Sequence, residues 1–101
     1  MAHILCIEDE ETLAKHIKKT MDREGYSVQI AGTGQHGLEC AAEHFPDLTL
    51  LDLRLPDASG LDILTQLRQI NPHANILMMT AHASVEDAVT AIRHGANCLL
   101  Y

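Results

Sequence analysis

Short apolar runs alternate with longer amphipathic stretches along the whole chain. The runs are dominated by aliphatic and β-branched side chains, which is typical of strands buried on both faces of a parallel sheet. The predicted strands cover residues 3–7, 27–31, 48–52, 76–80 and 98–100.

Between the predicted strands, apolar residues recur at helical spacing, which indicates helices that pack one face on a core. The four stripes are Leu13, Ile17 and Met21; Leu38, Ala41, Ala42 and Phe45; Leu61, Leu64 and Leu67; and Val85, Ala88, Val89 and Ile92. Helix ends are expected near Gly25, Pro46, Pro72 and Gly95, because glycine permits a left-handed turn and proline restricts the residue before it.

This alternation predicts an α/β domain, a doubly wound parallel five-stranded sheet with right-handed crossovers. In the flavodoxin-like strand order 2-1-3-4-5, the first and third strands are neighbours where the order reverses. A ligand is then expected beyond the carboxyl ends of those strands.

Acidic residues stand at both of these strand ends. Glu8 and Asp9 follow the first strand, and Asp52 ends the third. Converging carboxylates repel, so a proton or a cation must join them, and oxygen ligands with room for water suit Mg²⁺. A favourable helix start, at ~0.3–1 kcal/mol for each acid, suffices for Glu10 and Glu11. It does not explain Asp52.

Thr80 ends the fourth predicted strand and has two interpretations. It is either an ordinary strand end or a hydroxyl donor to an oxyanion held by the metal. Ala81 beside it is small, which leaves room for a bound group. Ser84 with Asp87 resembles a capping box at the start of the next helix.

Composition narrows the class of protein. The chain has 101 residues, enough for one domain, and a formal net charge of −7, which disfavours direct nucleic-acid binding. No apolar stretch reaches the ~20 residues of a membrane span, and the start lacks a signal peptide pattern, so a cytoplasmic location is expected. Cys6, Cys40 and Cys98 have no metal-binding spacing and are expected to be buried free thiols.

Three segments, "ILCIEDE", "PDLTLLDLRLPDASGLD" and "ILMMTAHASVEDAVTAIRHGA", resemble the receiver domain of two-component response regulators. The third is most similar to receivers attached to enhancer-binding transcription activators. The resemblance covers essentially the whole chain, so residues 1–101 are expected to form a single receiver domain.

The resemblance implies a Mg²⁺-dependent phosphorylation switch. Asp52 would accept a phosphoryl group from a sensor histidine kinase or a phosphotransfer protein, and Glu8, Asp9, Asp52 and the Arg54 carbonyl would hold the ion. The Thr80 hydroxyl would bind the phosphoryl group in the active state. Arg54, His82 and Ala81 match positions that tune dephosphorylation. Beyond this self-phosphorylation and autodephosphorylation, no enzymatic activity is expected.

The sequence departs from the family pattern at several positions. Glu8 stands where Asp is usual, and Leu99 stands where an aromatic switch residue is usual, with Tyr101 two residues beyond it. The lysine and last helix of the family would follow Tyr101. The domain is therefore expected to be cut short or to have lost part of the switch, with a bare sheet face that favours a homodimer, and an output domain is expected beyond the chain.

The sequence leaves three alternatives to the phosphorylation switch. A receiver-like module that binds partners without phosphorylation is the main one. A haloacid-dehalogenase-like phosphatase needs a second acid two residues after its nucleophile, where this chain has Arg54. A flavodoxin needs a phosphate-binding loop after the first strand. Asp47 and Asp57 follow prolines and fit turn chemistry, which makes them weak candidates for phosphorylation.

Overall fold

A computed structural model describes residues 2–79, 89–90 and 93–97 and the backbone of residues 98–100. Strands and helices alternate along the chain. They are β1 His3–Ile7, α1 Glu11–Arg23, β2 Ser27–Ala31, α2 Gly34–Glu43, β3 Leu48–Asp52, α3 Gly60–Ile70, β4 Ile76–Met79 and β5 Cys98–Leu100.

The strands form one five-stranded sheet in the order β2-β1-β3-β4-β5, and every pair is parallel. Ile7 at the end of β1 is level with Ala31 on one side and Leu51 on the other. The predicted flavodoxin-like, doubly wound fold is therefore confirmed. Because the strands are parallel, all their carboxyl ends meet at the same edge.

Apolar residues are buried on both faces of the sheet, as the uninterrupted runs predict. One face, with Ile7 and Leu51, packs against α2 and α3. The other face, with Cys6, packs against Ile17 and Met21 of α1. Cys6, Ile7 and Leu51 are all 0% exposed, so the centre of the sheet has no contact with water.

Most of the described positions in the predicted helix stripes are confirmed, and the stripe of Leu61, Leu64 and Leu67 lies entirely against the core. The prediction is wrong at four exposed positions, Leu13, Ala42, Phe45 and Val89. Leu13 is 39% exposed while its neighbour Ala14 is buried, and Phe45 is 61% exposed beyond the end of α2. Phe45 is exposed because α2 ends at Glu43, two residues before it. A side chain at Gly37 would overlap Ile7, so α2 approaches β1 closely at this glycine.

Helix ends agree with the glycine and proline signals. Gly25 follows α1 with a φ of 88°, and Gly95 has a φ of 106°, the left-handed region that favours glycine. The C-caps of α2 and α3 are His44 and Asn71, each shortly before a proline.

Several predictions lie outside the described residues. They concern most of the fourth helical stripe, Thr80, Ala81, His82, Ser84, Asp87, Tyr101 and the side chains of Cys98 and Leu99. Cys6 and Cys40 are buried free thiols, as predicted. Within the described part of the chain, no helix has the length and apolar character needed to cross a membrane.

Candidate functional site

Three carboxylates converge at the carboxyl edge of the sheet. Glu8 and Asp9 follow β1, Asp52 ends the adjacent strand β3, and one oxygen from each lies within 4.8 Å of the others. The cause is the register, because Ile7 pairs with Leu51 and the residues that follow them emerge side by side. Glu8 is buried, Asp52 is half-buried and Asp9 is exposed.

Burial and like charge make this cluster unfavourable as three anions. Burial raises the pKa of Glu8 to about 7, and the charges of Asp52 and Asp9 act in the same direction. The Glu10 amide opposes the shift by donating to Glu8 Oε1 at 3.0 Å. Near neutral pH, therefore, Glu8 exists in part as the neutral acid.

Burial also raises the pKa of Asp52, and the charge of Asp9 adds to the effect. Three hydrogen bonds lower the pKa of Asp52: one from the Arg54 amide to Asp52 Oδ1 at 3.3 Å, one between the Glu8 and Asp52 carboxyls, and one from the Leu53 backbone. Since the bond between the two carboxyls raises the pKa of Glu8 and lowers that of Asp52, Glu8 is the partner that keeps the proton.

A divalent cation fits this cluster chemically. The three groups offer oxygen atoms only, and the exposure of Asp9 leaves space for water ligands. A cation would also relieve the repulsion that otherwise retains a proton on Glu8. Glu8, Asp9 and Asp52 together could therefore hold a metal ion.

The loop between β3 and α3, which follows Asp52, is held by backbone hydrogen bonds. The Leu53 amide donates to the Met79 carbonyl at 2.9 Å, and the Gly60 amide donates to the Leu53 carbonyl at 2.8 Å. Arg54 and Ser59 form an antiparallel bridge across the loop. A side chain at Gly60 would overlap the carbonyl oxygens of Asp52 and Leu53, so only glycine permits this close return of the chain.

Asp57, at the tip of this loop, caps α2. Its Oδ1 accepts from the Gly34 amide at 2.8 Å and its Oδ2 accepts from the Gln35 amide at 3.1 Å. These bonds lower the pKa of Asp57. The next amide of the helix, that of His36, donates to Thr33 Oγ1 at 3.1 Å. Turn chemistry was the predicted role of Asp57, and that prediction missed this longer-range contact.

The structure brings together Glu8, Asp9 and Asp52, and it places the Arg54 amide beside Asp52. The Arg54 carbonyl as a metal ligand stays a prediction. The roles of Thr80, Ala81 and His82 also stay predictions, because these residues lie outside the described part of the chain.

Receiver domains have a flavodoxin-like sheet with acidic residues after the two neighbouring strands at which the strand order reverses. The same arrangement is present here, and comparison with known families gives the same class. The chain matches the family model described as "Response regulator receiver domain" over residues 4–101. It belongs to the response regulator receiver family.

The regulators to which the chain is similar are longer than the chain itself. The chain is 43% identical over 95 residues to the "Uncharacterized transcriptional regulatory protein YkoG" of Bacillus subtilis, covering 94% of this chain and 42% of that protein. It is 39% identical over 94 residues to the "Luminescence regulatory protein LuxO" of Vibrio campbellii, covering 93% of this chain and 21% of LuxO. The chain thus spans less than half the length of either relative.

A solved structure with the same fold is a response regulator protein from Burkholderia pseudomallei "with a phosphorylated aspartic acid, calcium ion and citrate". The two chains share 32% identity and superpose with a TM-score of 0.93, over 99% of this chain and 59% of that one. The resemblance to response regulator receivers is therefore confirmed by sequence and by fold.

Proposed function

We propose that this domain is a phosphoacceptor switch in which Asp52 takes a phosphoryl group from a sensor histidine kinase or a phosphotransfer protein. The observation that carries the proposal is the convergence of Glu8, Asp9 and Asp52 at the edge of the sheet. The Burkholderia pseudomallei regulator, which contains a phosphorylated aspartic acid and a calcium ion, supports it.

The proposed reaction uses the carboxylate of Asp52 as the nucleophile. One oxygen, Oδ1, accepts from the Arg54 amide, which leaves the other oxygen for attack on phosphorus. As the new oxygen–phosphorus bond forms, the bond from phosphorus to the donor imidazole breaks, and its electron pair returns to the histidine. Water later cleaves the acyl phosphate and restores the carboxylate.

The ion proposed for the cluster is Mg²⁺, held by Glu8, Asp9, Asp52 and the Arg54 carbonyl. When bound, it offsets the negative charge that the carboxylates and the phosphoryl oxygens bring together. Glu8 has to release its proton to act as a ligand, and its pKa of about 7 makes that release accessible near neutral pH.

Further parts of the proposal follow from family membership. The Thr80 hydroxyl binds the phosphoryl group in the active state, and Arg54, Ala81 and His82 tune how long it persists. The domain works in the cytoplasm, without contacting nucleic acid itself, and controls an output domain. The greater lengths of YkoG and LuxO support that last element.

Mass spectrometry of the intact protein tests the assignment of Asp52. Wild type, Asp52→Asn and the control Asp47→Asn are incubated with acetyl phosphate and Mg²⁺. One phosphoryl adduct is expected in wild type and in the control, and none in Asp52→Asn. An adduct in Asp52→Asn at the wild-type yield would remove Asp52 from its role. No adduct in wild type, from acetyl phosphate or from a kinase, would favour a module that binds partners without phosphorylation.

A further inference from the structure

The loop between β3 and α3 is fixed at its base and at its tip by different means. At the base, the backbone of Leu53 bonds to Met79 and Gly60, and Arg54 bridges to Ser59. At the tip, the two oxygens of Asp57 accept from successive amides of α2. This carboxylate therefore joins two segments that lie 23 residues apart in the sequence.

The helix that Asp57 caps is itself held in place. Gly34 is buried, and a Cβ on it would come within 2.6 Å of the Ile63 side chain of α3. One turn later, Gly37 lies against Ile7 of β1. Because the first turn of α2 is packed this closely on α3 and β1, it is a firm anchor for the loop tip.

Only three peptide bonds separate Asp57 from Arg54, and one of the two residues between them is Pro56. Proline fixes its own φ and restricts Leu55 before it, so this connection is stiff. Leu55 and Ala58 also pack against the core cluster, which limits the loop further. A shift of the Asp57 anchor is therefore passed on to the Arg54 peptide.

The Arg54 peptide matters because its amide donates to Asp52 Oδ1. We propose that Asp57 is a positioning residue for the acidic site: its carboxylate fastens the loop tip to α2, and so fixes the Arg54 peptide that orients Asp52 for cation binding and phosphorylation. This inference rests on the proposed function for its phosphorylation part only. The cation part stands on the cluster of Glu8, Asp9 and Asp52.

The test compares two variants that damage the same helix end. Asp57→Ala removes the acceptors for Gly34 and Gln35, whereas Thr33→Ala removes the acceptor for His36 and leaves the loop untouched. Urea unfolding establishes how much stability each variant loses. Mg²⁺ affinity, the backbone amide signal of Arg54 in ¹⁵N spectra, and the rate of phosphorylation by acetyl phosphate are then measured on both.

Asp57→Ala is expected to weaken Mg²⁺ binding roughly tenfold, the lower end for groups that orient metal ligands, and to shift the Arg54 amide signal. Phosphorylation is expected to slow by a similar factor. Thr33→Ala is expected to change Mg²⁺ affinity less than about twofold, since it leaves the groups that orient the ligands unchanged. Asp57→Asn keeps one acceptor oxygen and is expected to lie between wild type and Asp57→Ala.

Equal effects of Asp57→Ala and Thr33→Ala on Mg²⁺ affinity would show that Asp57 is a helix cap only, and an unchanged Arg54 amide signal would do the same. If Asp57→Ala fails to fold, Asp57→Asn decides by these two criteria. If wild type accepts no phosphoryl group, the proposed function fails. The Mg²⁺ titration and the amide signal still decide the role of Asp57.

Discussion

At the amino end of the sheet, Arg68 of α3 donates Nε to the Gly95 carbonyl at 2.7 Å and Nη2 to Asn97 Oδ1 at 2.8 Å, and Nη1 bonds to the Ala74 carbonyl. The same Asn97 oxygen accepts from the Ile76 amide at 2.7 Å. At the carboxyl end, by contrast, three carboxylates face one another, and their backbone donors come from Glu10, Leu53 and Arg54.

The difference separates two uses of polar groups in one fold. The charged guanidinium of Arg68 is hydrogen-bonded to matching acceptors, and these bonds hold together loops that have no regular structure of their own. The like charges of Glu8 and Asp52 repel each other and destabilise the fold, and this repulsion is relieved only when a proton or a cation binds. The amino end therefore stabilises the domain, and the carboxyl end is arranged for a ligand.

The largest expected effect is at the amino end. Arg68→Met should lower the free energy of unfolding by about 3 kcal/mol, because it leaves several partly buried acceptors without a donor. Urea unfolding measures this loss, with Lys19→Met on the exposed face of α1 as the control. Mg²⁺ affinity should stay at the wild-type value. Wild-type stability in Arg68→Met would mean that the two ends do not differ as described.

A pH titration of stability probes the carboxyl end. Because the pKa of Glu8 is raised from 4.5 to about 7, its contribution to stability is complete below pH 4.5 and is lost as pH rises through 7. Asp52 acts in the same direction. In a metal chelator, the free energy of unfolding should fall by on the order of 2 kcal/mol between pH 5 and pH 8.

Adding Mg²⁺ should reduce this loss of stability at high pH. In the presence of chelator, Glu8→Gln should make the free energy of unfolding depend less on pH. Asp57 has the opposite sign, since its lowered pKa makes its contribution disappear only as pH falls into the acid range. Stability that rises from pH 5 to pH 8 without metal would contradict the repulsion assigned to the acidic site.

Asp9→Asn tests the carboxyl end of the sheet through its affinity for Mg²⁺. Removing this exposed charge should weaken Mg²⁺ binding about twentyfold, or about 1.8 kcal/mol, more than Asp57→Ala or any other single change outside Asp52. Stability without metal should rise slightly. Calorimetric titration measures the affinity, and Glu11→Gln in the first turn of α1 is the control. An affinity equal to wild type would exclude Asp9 from the site.

The smallest expected effect is again at the amino end. Asp47 Oδ2 accepts from the His3 amide at 2.7 Å, and Asp47→Ala should lower stability by about 1 kcal/mol. Asp47→Asn, which keeps an acceptor oxygen, should lose less. Thermal unfolding measures both, and neither change should alter Mg²⁺ affinity. A loss as large as that of Arg68→Met would show that a single surface contact matters as much as the whole arginine network.

Strand positions were predictable because buried parallel strands leave uninterrupted apolar runs, and Asp52 was recognisable because an acid ends such a run. Strand order then placed Glu8 and Asp9 beside it. Helix faces were less predictable, since α2 ends at Glu43 and leaves Phe45 beyond it, whereas periodicity alone extends the apolar stripe to this large side chain. Arg68 and Asp57 were missed because their partners are distant in sequence, and no local pattern marks them.

Cys6 is a buried free thiol close to the acidic site, and its protonation state decides whether its sulfur can bind a metal ion. Burial raises the pKa of its thiol to about 11, and the charges of Glu8 and Asp52 add to the shift. Thiolate, the form that binds soft metals and reacts with oxidants, is therefore almost absent at neutral pH. A sulfur atom lies two residues before Glu8, yet the crevice offers only hard oxygen donors. Carboxylate oxygens suit hard ions such as magnesium and calcium, and a protonated thiol keeps redox chemistry away from the candidate phosphorylation site.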